Sequence, residues 1–177
     1  ATSFYYDSAE KLDRIFGHEE EGYCYARYDN PTNAALEELV TALEGGAGTL
    51  ACASGMAALQ IAIETALTDR RRAIVAADAL YGATIKLLVQ VRFVDICDLA
   101  AVERVVGEQR PGCVLMETIS NPLLRVGAID RIAVLARQAG AALVVDSTFA
   151  TPLLVRPLEL GAHLAVHSAT KYLAGHG

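Results

Sequence analysis

Five short clusters in this 177-residue sequence place reactive or anion-binding side chains at the ends of apolar runs. His167-Ser168-Ala169-Thr170-Lys171 follows Leu164-Ala165-Val166, which puts a lysine just past an expected inner strand. An amine buried there with its charge is costly, so such a lysine should be paired, neutralised or used covalently. The competing reading is an exposed structural lysine, because charged residues commonly follow strands. Ser168 and Thr170 favour chemistry, since both hydroxyls could donate to a phosphate on the lysine's face. Asp146, at the end of Ala142-Leu143-Val144-Val145, could cap the following turn or pair with a protonated ring nitrogen of a cofactor. Ala53-Ser54-Gly55-Met56 opens a helix whose free N–H groups and glycine suit an anion, although many helices simply begin Ser-Gly. Tyr81-Gly82 follows a run ending near Ala77. Tyr81 reads either as an amphipathic packing residue or as a ring that stacks on a planar cofactor and uses its phenol as an acid or base. Glu117 to Pro122 sets a carboxylate and the amide of Asn121 after another run, where an ordinary Asn-Pro turn is the simpler local reading.

Other chemistries lose support. Gly46-Ala47-Gly48-Thr49-Leu50-Ala51 fits a dinucleotide fingerprint but comes after a helix and before a strand, the reverse of what that fingerprint needs. The GxSxG and P-loop patterns are absent, and with them the usual devices of serine hydrolysis and phosphoryl transfer. His18, His163, His167 and His176 lack metal-ligand spacing with the cysteines, so no metal site is expected. Net charge is −6 and the basic residues are scattered apart from Arg70-Arg71-Arg72, which argues against a nucleic-acid partner and for a small-molecule one. No apolar stretch reaches 18 residues, so neither membrane span nor secretory signal is expected. Cys24, Cys52, Cys97 and Cys113 are widely spaced without CxxC pairing, which suits reduced thiols and a cytoplasmic location. Ala1 in place of an initiator methionine suggests trimming or a segment of something longer.

The elements that must position these clusters follow from periodicity. With 53% apolar residues the chain supplies a sizeable core. Residues 1–33 are polar and aromatic without a sustained apolar period and read as an extended arm ending in the turn Asp29-Asn30-Pro31-Thr32. Leu36, Leu39, Val40 and Leu43 recur at helical spacing before Gly45-Gly46. Strands are expected at Thr49–Ala53, Ala73–Ala77, Phe93–Ile96, Cys113–Met116, Ala142–Val145 and Leu164–Val166. Helices are expected from Ser54-Gly55 to about Leu67, from near Tyr81, over Leu99–Val106 and over Ile129–Gln138. Unbroken apolar strands alternating with helices indicate an α/β fold, a three-layer mostly parallel sheet with helices on both faces. Ligands in such sheets gather at the carboxyl ends of strands, where all five clusters fall.

Taken in order, Tyr25 to Thr32, Leu43-Glu44-Gly45-Gly46, Ala53 to Met56, Leu80-Tyr81-Gly82, Glu117 to Pro122, Val145-Asp146-Ser147-Thr148, Arg156 to Ala162 and His167 to Gly177 closely resemble the Cys/Met-metabolism family of pyridoxal-phosphate enzymes. That family includes cystathionine γ-synthase, cystathionine γ-lyase, methionine γ-lyase and O-acetylhomoserine sulfhydrylase. The resemblance implies an aspartate-aminotransferase-like large domain over residues 34–177, behind an N-terminal arm over 1–33. It implies pyridoxal 5'-phosphate linked through Lys171, with Asp146 holding the pyridine nitrogen protonated. By the same resemblance Gly55, Met56, Ser168 and Thr170 form the phosphate cradle, Tyr81 stacks on the ring and moves protons, and Asn121 lies beside the ring hydroxyl. Tyr25 and Arg27 resemble arm residues that reach the phosphate of a neighbouring subunit, which implies a homo-oligomer, a dimer of dimers.

The implied reaction is γ-elimination or γ-replacement on an amino-acid substrate, a sulfur amino acid or a homoserine ester in transsulfuration, of the cystathionine synthase or lyase type. O-acetylhomoserine sulfhydrylase and methionine γ-lyase remain open, as do β-elimination, transamination and a non-catalytic relic that keeps only fold and assembly surface. The match also has gaps. The family continues well past the position of Gly177 into a C-terminal domain that carries the arginine for the substrate carboxylate. The segment Val89–Arg92 looks short for a parallel crossover, and Ile119 and Ser147 stand where the family more often has proline and asparagine.

Overall fold

A computed structural model describes residues 1–175. His176, and with it the end of the closing His167–Gly177 motif, lies outside the described residues. Five apolar runs form one all-parallel sheet: β1 (Ile74–Ala77), β2 (Val91–Val94), β3 (Cys113–Glu117), β4 (Ala142–Asp146) and β5 (Leu164–Val166), in the order β2-β1-β3-β4-β5. Every residue of β1 and β3 is buried, as expected for strands covered on both faces. Leu59, Leu115, Met116, Ile132 and Leu143 are fully enclosed, and each such side chain contributes about 1.5–3 kcal/mol through removal from water. Cys113 is sealed in the same core, and burial pushes its thiol up to about 12, so it packs as a small hydrophobe.

The connections decide which face each helix covers. From β1 the chain moves one way to β2 and then back across β1 to β3 and on to β4. Right-handed crossovers therefore place α4 (Gly82–Leu87) on the face opposite α5 (Leu99–Gln109) and α6 (Ile129–Ala139). Helix α3 (Gly55–Ala66) packs on β4 and β5 and touches α4. The crossover through α4 is shorter than is usual, yet it closes. Six helical residues suffice because Gln90 takes φ 54 and turns the chain straight into β2, so that strand begins at Val91, earlier than Phe93. The arginine run also has a local account: the Arg71 guanidinium donates to the Ala139 and Gly140 carbonyls at the end of α6, and Arg72 pairs with Glu64. No described helix is long and apolar enough to cross a membrane.

Residues 1–42 and 47–51 form one compact unit, and residues 43–46 and 52–177 the other. In the first unit the segment read as an extended arm carries a helix, α1 (Ala9–Phe16), started by Ser8, whose hydroxyl accepts the Lys11 N–H. Leu12, Ile15 and Phe16 do recur at helical spacing, so the signal was present, but it spans only eight residues with Ile15 alone buried. Asn30 caps α2 (Pro31–Glu44) by accepting the Thr32 and Asn33 N–H groups, with Pro31 at the first helical position. The strand expected at Thr49–Ala53 does not form. Thr49 pairs with Thr41 through hydroxyls, and the Ala51 N–H donates to the Glu37 carboxylate, so side chains take the place of a ladder.

Candidate active site

The carboxyl ends of the strands converge in the second unit. Strand order reverses between β1 and β3, the position at which open parallel sheets leave a crevice. Glu117, the last residue of β3, spans it. One carboxylate oxygen accepts the Tyr81 N–H at 2.6 Å and the other accepts the Asn121 N–H at 2.9 Å. Glu117 is 7% exposed, and burial, reinforced by the charge of Asp146, raises its pKa against the lowering effect of those two donors. The Tyr81 ring is half exposed rather than packed in the core. Asn121 precedes a cis peptide to Pro122.

Asp146 pairs with Glu117 in the β3–β4 register. Its Oδ1 accepts the Thr148 N–H at 3.0 Å, so the turn-capping role does exist. Thr148 in turn accepts the Ser168 N–H on its hydroxyl at 2.9 Å, and Ser147 N–H donates to the Val166 carbonyl. The turn after β4 is thereby fastened to the chain leaving β5.

Ser168 meets the start of α3. The Ser54 hydroxyl caps that helix by accepting the Ala57 N–H, and helix geometry leaves Gly55 and Met56 N–H without intrahelical partners. A Cβ on Gly55 would lie 2.7 Å from Ser168 Cβ and 3.1 Å from its Oγ. Glycine is required by this approach, which makes the helix start a concave, N–H-lined surface suited to an anion. Gly55→Ala is therefore expected to cost about 1–3 kcal/mol through overpacking, although alanine is the better helix former by about 1 kcal/mol. Denaturant unfolding of the two proteins measures the difference, and an unchanged or higher midpoint contradicts it.

At the residue before Ser168, His167 Nε2 lies 2.6 Å from Glu44 Oε1, and both side chains are buried. Glu44 Oε2 and His167 Nδ1 have no partner among the described residues. This pair was not expected from sequence. A usable signal existed, since a carboxylate in the last turn of a helix opposes the helix dipole and calls for a compensating partner. Glu117 and Thr148 were likewise not singled out as the groups that tie the clusters together.

Among the described residues β5 has one strand neighbour, β4. Lys171 is exposed and makes no ion pair among the described residues; its N–H donates to the Ser168 carbonyl at 3.1 Å. Thr170 is exposed as well. In the first unit Tyr25 and Arg27 stack on each other, with the guanidinium 5.2 Å from the Tyr25 ring centre and 5.5 Å from that of Tyr28.

A family model described as Cys/Met metabolism PLP-dependent enzyme matches residues 1–177. The chain is 40% identical to an L-methionine gamma-lyase of Pseudomonas putida, with 99% of this chain and 46% of that protein covered. It is 39% identical to a cystathionine gamma-synthase of Haemophilus influenzae, with 93% and 47% covered. Among solved structures, the putative O-acetylhomoserine (thiol)-lyase of Campylobacter jejuni, which contains N'-pyridoxyl-lysine-5'-monophosphate, superposes with a TM-score of 0.85 at 29% identity. That match covers all of this chain and 45% of the other. The chain thus spans about half the length of the relatives it matches.

Proposed function

Because the chain belongs to the PLP-dependent enzymes of Cys/Met metabolism, we propose that it carries the cofactor-holding part of an enzyme for γ-elimination or γ-replacement on sulfur amino acids or homoserine esters, of the cystathionine γ-synthase or γ-lyase type. The observation that carries the reading is the unbroken series of contacts along the strand ends. It runs from the α3 start through Ser168, Thr148, Asp146 and Glu117 to Tyr81 and Asn121.

These residues fit pyridoxal phosphate. The narrow space at Gly55, which a Cβ would fill, and the free N–H groups of Gly55 and Met56 suit the phosphate, with Ser168 beside them, and Thr170 would add its hydroxyl. Asp146 spends Oδ1 on the Thr148 N–H and keeps Oδ2 for a pyridinium proton. The half-exposed Tyr81 offers a ring face for stacking, and Asn121 an amide for the ring hydroxyl. The bound cofactor supplies an aldehyde that condenses with amines and a ring that accepts electrons. Lys171 would provide the amine that holds the cofactor and would take the substrate Cα proton as general base. Tyr81 assists the second proton removal, at Cβ, that precedes loss of the γ-substituent. Tyr25 and Arg27, on the arm over residues 1–33, complete the phosphate site of a neighbouring copy in a cytoplasmic dimer of dimers.

The test is product analysis on the intact protein loaded with pyridoxal phosphate. Cystathionine, methionine, and an O-acyl homoserine with and without a thiol are supplied in turn. Elimination yields a keto acid and ammonia, and replacement yields a thioether. Absence of both, together with no visible absorbance from bound cofactor, overturns the reading.

A further inference from the structure

Two predicted site residues, Tyr81 and Asn121, sit on separate turns, one after β1 and one after β3. The two turns are joined by a single side chain. Glu117 spends one oxygen on each turn's N–H: the bond to Tyr81 crosses from β3 to the turn after β1, where the strand order reverses, and the bond to Asn121 closes back on the turn that follows β3 itself. Capping α4 or closing the Asn-Pro turn would each need only one acceptor. A neutral side chain would do either without placing a carboxylate, 7% exposed, level with Asp146 on the adjacent strand. Two N–H donors, each taken by a separate oxygen, need two acceptor oxygens on one rigid group, and among side chains only a carboxylate supplies them. A glutamine in its place satisfies one donor and turns its own NH₂ toward the other.

We infer that Glu117 is a positioning residue that clamps the Tyr81 turn to the Asn121 turn, so that the phenol and the amide hold a fixed separation about the cofactor ring. The inference rests on the functional reading above. It assigns no proton transfer to Glu117, which acts through the two residues it holds.

The experiment uses the intact protein with Glu117→Gln and Glu117→Asp. The aspartate keeps the charge but is too short for both donors, and it serves where the glutamine variant fails to fold. Three quantities are read: amide hydrogen exchange at Tyr81 and Asn121 without cofactor, pyridoxal phosphate titration followed by visible circular dichroism, and kcat and KM separately. Loss of a charge-assisted hydrogen bond is expected to speed exchange at one or both amides about tenfold and to weaken cofactor binding about tenfold. Misplaced groups are expected to lower kcat about ten- to a hundredfold while KM moves less than about threefold. The clamp is overturned if both amides stay protected in the variant. It is equally overturned if protection is lost while cofactor affinity, the dichroism signal and kcat stay within about twofold of the parent. Failure of the parent itself to take up pyridoxal phosphate sinks the functional reading together with the clamp's purpose, and the exchange data keep the two failures apart.

Discussion

Lys171→Ala is expected to fold normally, to yield no cofactor covalently trapped by borohydride, and to lose turnover by on the order of 10⁴-fold. The near-silent effect on folding follows from the surroundings of this side chain: it is exposed and makes no ion pair among the described residues. Surface truncations of that kind usually change stability by no more than about 0.5 kcal/mol. The large catalytic effect follows from the two roles proposed for one amine, attachment and general base. The intact mass of the purified protein, with and without borohydride in the presence of pyridoxal phosphate, reads the trapped adduct directly. An adduct that persists in Lys171→Ala assigns the chemistry to a different amine.

Asp146→Asn should separate two roles that sequence leaves entangled. The asparagine side-chain oxygen can still accept the Thr148 N–H, so the turn that fixes Ser168 through the Thr148 hydroxyl survives. Stability is expected to stay within about 0.5 kcal/mol of the parent. The negative charge proposed to face the ring nitrogen is lost, and removing a preorganised electrostatic partner of this kind costs about 10²–10³ in kcat. Thermal melting together with turnover makes the comparison. Equal turnover in the two proteins would reduce Asp146 to a turn cap, and a large fall in melting temperature would show the carboxylate's main work to be structural.

How much of this was legible beforehand differs between particular residues. The apolar run Cys113–Met116 read as a buried strand because both of its faces are covered, a property written in every residue of the run. Ser54-Gly55 read as a helix start because its cap and its glycine lie within one turn of each other. Thr49–Ala53 misled, since a short apolar stretch looks like a strand whether or not another strand lies beside it; here side chains of Thr41 and Glu37 satisfy it.

The five strands of the sheet and the helices α2 to α6 in their order, the reactive residues at the ends of the strands, and the family resemblance were contained in the sequence, because periodicity, caps and motif spacing are short-range properties of the chain. Tertiary structure alone decided the strand order, the bridge from Glu117 to Tyr81 across 36 positions, the Glu44–His167 pair across 123, and the approach of Gly55 to Ser168. A hydrogen bond between residues so distant leaves no periodic trace, and its partner is chosen only once the crossovers have set which strand ends lie side by side.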